Sequence, residues 1–157
     1  MPTTNKSWAE LFIVAFFLNY LWESWHAVYL YHGFAHPPLT YVRSLPEFLH
    51  LITRVSLTDA VLITVIALLG VSIWRDWSWF THPTTQQYSF FIAAALVVAI
   101  AIEIKGVYLF KQWSYSPLMP TLFGLGVSPL LQLAVTGLIA MRWLRSAHEH
   151  GSHLPLT

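Results

Sequence analysis

The chain contains no cysteine, which excludes disulfides, thiolate metal sites and Cys-x-x-Cys thiol chemistry, and leaves the redox compartment unread. Charge is nearly as scarce. Eight Lys and Arg against seven Asp and Glu leave a formal net charge of +1, with no basic stripe to follow a phosphate backbone, so nucleic acid is excluded as a partner. What fills the 157 residues is apolar: 56% are hydrophobic and 10% charged, a balance that a soluble domain of this size does not show. The first apolar run begins within ten residues of Met1, yet it has no small-residue cleavage site and carries Asn19, Glu23 and His26. A signal-peptide core would not hold these, so the run is read as a retained first helix.

Four apolar runs, at about 8–30, 57–74, 88–110 and 123–144, each approach the ~20 residues needed to cross a bilayer. A spanning segment must satisfy its own backbone, and no repeated ten-residue strand pattern is present. The fold class expected is therefore all-α: a polytopic membrane protein built as a four-helix transmembrane bundle. It occupies 1–146 as one domain, followed by a flexible, His-containing tail at 147–157. Trp8, Trp74, Trp77, Trp79, Trp113 and Trp143 lie at or near run ends, where indoles anchor at the headgroups.

The connections are uneven. Between the first two runs, Pro46 to Ile52 has apolar residues at helical spacing and proline at its start, which predicts a short interfacial helix, as a lid or as simple packing. Between the last two, Pro117, Pro120 and Pro129 with Gly124 and Gly126 exclude a plain hairpin. Lys6, Arg75, Arg142 and Arg145 lie on the side of both termini, against Arg43, Arg54 and Lys111 on the other. The positive-inside rule then favours both termini in the cytoplasm, and the expected location is the cell inner membrane.

Within the first run, Asn19-Tyr-Leu-Trp22-Glu23-Ser-Trp-His26 puts an amide, an indole, a carboxyl group and an imidazole on one helical face. Exposing a carboxylate to lipid costs ~2.5–3.5 kcal/mol or more, so this face is expected to point into the bundle. Because successive helices reverse direction, Asn19, Glu23, His26, Asp59, Glu103, Lys105, Ser128, Gln132 and Thr136 all fall in one half of the membrane. That concentration predicts a pocket closed by the first and third connections. The structural alternative differs from residue to residue. Asp59 after Thr58 reads as a helix cap, and Lys105 as a snorkelling cation. Glu23 and Glu103 fit either a functional acid or a buried structural pair. His26 fits a hydrogen-bond partner of Glu23, and only weakly a metal ligand with histidines 32, 36 and 50.

Asn19-x-x-Trp22-Glu23-x-x-His26, taken with Trp113-x-Tyr115-x-x-x-Met119-Pro120 and Pro129-Leu-x-Gln132, resembles a group of small bacterial four-helix membrane proteins. That resemblance implies a fold but no activity. The third helix departs from it, with Glu103-Ile-Lys-Gly where the group has Glu-Trp-x-Asn, so nothing about Lys105 carries over. Asn19-x-x-Trp22-Glu23 is also remotely similar to integral-membrane terpenoid cyclases, a resemblance that implies an acid at Glu23 protonating an epoxide or alkene.

Two main functions fit these residues. One is acid–base chemistry on an isoprenoid or other membrane lipid, with Glu23, Glu103 or His26 catalytic. Its pocket would be formed by Asn19, Trp22, Trp113, Tyr115, Met119 and Gln132, with Trp22, Trp25, Trp113 and Tyr115 offering faces to a carbocation. The other is a non-catalytic subunit or a lipid-, pigment- or quinone-binding module, alone, as a homo-oligomer or in a larger membrane complex. Ion or proton transport fits less well, because one half of the bundle is apolar. No cofactor and no metal are called for by the sequence.

Overall fold

The computed structural model describes residues 2–34 and 44–151. Four helices dominate it: α1 (Pro2–Tyr29), α2 (Leu45–Trp74), α3 (Thr85–Glu103) and α4 (Val127–Gly151). Each contains a stretch long and apolar enough to cross a membrane, so the protein is an all-α, multi-pass four-helix bundle. Short paired segments β1 (Tyr31–Phe34), β2 (Trp113–Tyr115), β3 (Thr121–Leu122) and β4 (Leu125–Gly126) complete the order.

Helix ends follow local chemistry. Ser44 caps α2 by accepting from the Glu47 amide, with Pro46 in the first turn. Thr84 and Gln87 form a reciprocal capping box at α3. The expected short helix at Pro46–Ile52 is not separate. It forms the first turns of α2, because Thr53 to Ser56 contain no breaker and extending a helix costs less than ending it in apolar surroundings. The helix α4 likewise continues through 147–151, into the span expected to be a flexible tail; 152–157 lie outside the described residues, as do 35–43. After Glu103, α3 widens into a π-helical segment, Ile104–Leu109, in which the Phe110 amide reaches back to the Lys105 carbonyl.

The half of the bundle holding the 75–84 turn is packed solid. Leu11, Ile63, Ile66, Phe91, Met141 and Leu144 fill it together with Trp79 and Phe80. Trp79 was expected at the headgroups and is instead buried, donating its indole N–H to the Ala67 carbonyl at 2.9 Å. It fits because Gly70 offers no side chain: a Cβ there would overlap the ring. Trp77 and Trp143 are exposed, as anchors are. Small residues such as Ala60, Ala67, Ala95 and Ala140 allow the close helix approach on which association within lipid depends.

At the opposite end the two connections are tied together. The strand β1 pairs antiparallel with β2, setting Tyr31 opposite Tyr115 and Phe34 opposite Trp113. Ser116 adds a backbone bond to the Leu30 carbonyl and a hydroxyl bond to the Tyr29 carbonyl. The β3–β4 hairpin turns through Phe123 and Gly124, both at positive φ. These ladders satisfy the irregular backbone that Pro117 and Pro120 prevent from being helical, whereas Pro129 sits in the first turn of α4.

Candidate functional site

The helical period brings Asn19, Glu23 and His26 of α1 to the bundle interior, with Asn19 and His26 wholly buried. Their partners come from α2 and α4. Gln132 of α4 directs its amide nitrogen at three oxygens: Glu23 Oε1 at 2.7 Å, Asp59 Oδ2 at 2.9 Å and Asn19 Oδ1 at 3.0 Å. An NH2 group has only two hydrogens, so the amide alone cannot serve all three. Asn19 is fixed in turn by its Nδ2 donating to the Ala15 carbonyl and by Thr136 Oγ1 at 3.3 Å.

Asp59 was expected to cap a helix, and that reading is overturned. The helix α2 begins at Leu45, fourteen residues earlier, so the amides around Asp59 are already paired within the helix and its carboxyl group faces the bundle instead. Sequence reasoning missed it because the apolar run starting near Leu57 was taken as the helix start. The available signal was the α-periodic spacing of Ile52, Ser56, Asp59 and Ile63, all buried.

One turn beyond Glu23, His26 Nε2 receives the Trp22 indole N–H at 2.7 Å and stands 2.6 Å from Ser128 Oγ. An indole nitrogen can only donate, so Nε2 is the acceptor and the neutral imidazole carries its proton on Nδ1. That Nδ1 is buried without a hydrogen-bond partner, 3.9 Å from Glu23 Oε1. The imidazole is thus aimed at the carboxyl group without bonding to it.

Glu103 forms a second acidic point, buried at the end of α3 and receiving a hydrogen bond from the Tyr115 hydroxyl. Tyr31 lies against His26, Trp113 and Tyr115. Burial pushes the Tyr31 phenol well above its ordinary range, reinforced by the Glu103 and Glu23 carboxyl groups. Burial raises Tyr115 too, with its bond to Glu103 adding to the effect. Both phenols therefore keep their protons and act as donors at neutral pH.

A cavity of about 320 Å³ lies among these groups. Glu23, Asp59, Glu103 and Gln132 provide its polar wall, Trp113, Ala99, Ile102 and Leu133 part of its apolar wall, and Arg54 and Gln112 are exposed at its edge. Of the residues expected to form the site, Glu23, Glu103, Trp113 and Gln132 line the cavity directly. Asn19, His26 and Tyr115 stand behind them, bonded or adjacent to the lining groups, and Trp22 stands behind His26. Met119 is buried but is not among the lining residues, and Trp25 is half exposed and is not among them either. Lys105 is exposed, its ammonium 5.7 Å from the centre of the Phe110 ring. Asp59, placed at this depth by the sequence but read as a cap, lines the cavity, and Tyr31, Arg54 and Gln112 join the site from the structure alone. Among the described residues, no group of three or more His, Cys, Asp or Glu side chains is placed to hold a metal ion.

The site and fold together define a membrane-embedded bundle with a buried acidic network beside a cavity. Compared with family models, curated proteins and solved structures, the chain matches none of them.

Proposed function

We propose that the protein is a membrane enzyme that transfers a proton to an apolar, lipid-soluble substrate of isoprenoid type held in the cavity, as in a cyclisation or isomerisation. The observation that carries this reading is the single Gln132 amide shared by Glu23 and Asp59 at the cavity wall. Thr136 Oγ1 reaches the Asn19 oxygen, so the two amide hydrogens fall to Glu23 and Asp59, and two carboxyl groups gathered on one amide away from water hold a proton between them. Such a proton faces an apolar chamber, where an alkene or epoxide is the available base. The Trp113 ring offers a face to the cationic carbon that protonation creates, and Glu103 with Tyr115 supplies a second acid–base pair to take a proton away. The remote similarity of Asn19-x-x-Trp22-Glu23 to terpenoid cyclases points the same way.

Transport is a weaker reading, because the interior beyond the network is filled by Leu11, Ile63 and Phe91. The proposed location is the inner membrane, and the distribution of Lys and Arg supports an orientation with both termini cytoplasmic.

Glu23→Gln and Asp59→Asn test the reading, since each keeps the side-chain shape and removes an acid. The expected outcome is normal purified yield with loss of the product from the isoprenoid profile of expressing cells. Profiles unchanged by both substitutions would overturn the enzyme reading, and an unaltered lipid co-purifying with wild type and both variants would make the protein a binding module.

A further inference from the structure

The cavity opens beside Arg54, and the position of that residue in the membrane is set by counting along α2. The helix ends at Trp74, and a hydrocarbon core of ~30 Å takes about 20 residues at ~1.5 Å each, so counting back places its other boundary near Val55. Arg54 therefore stands at the headgroup level. Asp59 lies five residues, or about 7–8 Å along the axis, further in.

Among the described residues, Arg54 is the one Lys or Arg lining the cavity, whose wall also carries Glu23, Asp59 and Glu103. Yet among the described residues none of these carboxyl groups forms an ion pair with it: Lys6 pairs with Glu10 and Arg145 with Glu149, and Glu23 has only the neutral His26 nearby. The acids are turned to Gln132 and Tyr115 instead, so the guanidinium at the edge keeps its five donors. Gln112, exposed on the same edge, adds an amide. The helices α2 and α3 pack through Trp74, Trp79 and Phe90 near their shared turn, whereas Val55 and Ile102 face the cavity at the other end. The edge thus combines a cation with an apolar approach, and the interior combines apolar walls with acids that repel an anion.

We infer that the cavity takes an amphipathic anion, a lipid whose phosphate or carboxylate rests on Arg54 at the membrane surface while its apolar chain runs inward. This deepens the preceding reading and rests on it for the chemistry: the group protonated lies about 7–8 Å deeper along the helix axis than the anionic head, about 1.4 helical turns. Charge also fixes the direction of entry. A head-first ligand would bring its anion against Glu23 and Asp59, whereas a tail-first ligand pairs it with a guanidinium suited to bidentate contact with phosphate.

The test is direct binding to the full-length protein in mild detergent, measured with radiolabelled farnesyl phosphate, with farnesol as the same chain without charge, and with inorganic phosphate as competitor. Wild type is expected to bind farnesyl phosphate about tenfold more tightly than farnesol, and Arg54→Gln to remove that difference. Arg54→Lys should retain part of it, because charge remains and the planar fork does not. Millimolar inorganic phosphate should not displace the lipid. Equal binding of the two probes by wild type, no binding of either, an Arg54→Gln variant that still discriminates, or displacement by free phosphate would each overturn the inference. Binding is read without turnover, so a failure here is distinguishable from a failure of proton transfer, which Glu23→Gln reports.

Discussion

Gln132 Nε2 lies 2.9 Å from Asp59 Oδ2, joining the start of α4 to the middle of α2 across 73 residues of sequence. The same nitrogen holds Glu23 of α1, so one side chain ties three helices together at the depth of the cavity. Within lipid, polar contacts of this kind fix which faces of the helices meet, since apolar faces pack against acyl chains nearly as well as against each other.

Gln132→Leu is therefore expected to destabilise the bundle. It strands oxygens of Asn19, Glu23 and Asp59, and an unpaired buried polar group costs about 1–3 kcal/mol. Gln132→Glu, which sets a third carboxyl group against two, should be at least as damaging. Thermal unfolding in detergent measures both; a Leu variant melting at the wild-type temperature would show that the amide does not hold the helices.

Gly106 lies in the π-helical segment with the Trp113 ring directly over its Cα, so that a Cβ would fall within the ring. Helix propensity alone predicts that Gly106→Ala stabilises by about 1 kcal/mol. Overpacking, at about 1–3 kcal/mol, opposes it and should win, displacing Trp113 from the cavity wall. A lower melting temperature with a changed tryptophan emission is expected, and the Gly106→Ala, Trp113→Leu double variant should recover part of the loss. A more stable Gly106→Ala variant would place the ring elsewhere.

The two phenols set an alkaline limit. Tyr31 and Tyr115 are held above their ordinary value, so the folded protein retains protons that the unfolded chain releases near pH ~10. Below that value both states are protonated and the phenols make stability no more pH-dependent. Above it the unfolded state binds fewer protons, so stability falls as pH rises. Melting curves from about pH 8 to about pH 11 should show this decline, and Tyr31→Phe and Tyr115→Phe should each lessen it. A decline identical in both variants and wild type would assign it to other groups.

Much of the site was legible because lipid penalises polar groups so heavily that each one in an apolar run must have a purpose or a partner. The spacing of Asn19, Glu23 and His26 gave a common face, and the alternation of helix direction brought Gln132 to their depth, where it meets Glu23 at 2.7 Å. Asp59 was misread through the boundary of its helix. Hydropathy marks where a helix is apolar, not where it starts, and α2 extends three turns beyond its apolar run. Trp79 was misplaced for a related reason: an indole near a run end anchors at the surface unless a glycine opposite it leaves a slot, and Gly70 does.

The sequence alone determined the four crossings, because length and hydropathy are properties of a segment, and it determined the inward face of α1, because a 3.6-residue period is local. Only the tertiary structure decided that Glu23 and Asp59 share one amide, that Trp22 sets the tautomer of His26, that Arg54 stands at the cavity edge, and that β1 and β2 close one end. Each depends on the rotation of one helix against another and on rotamer choice. Those are settled by packing between residues as far apart as Glu23 and Gln132, which no local pattern encodes.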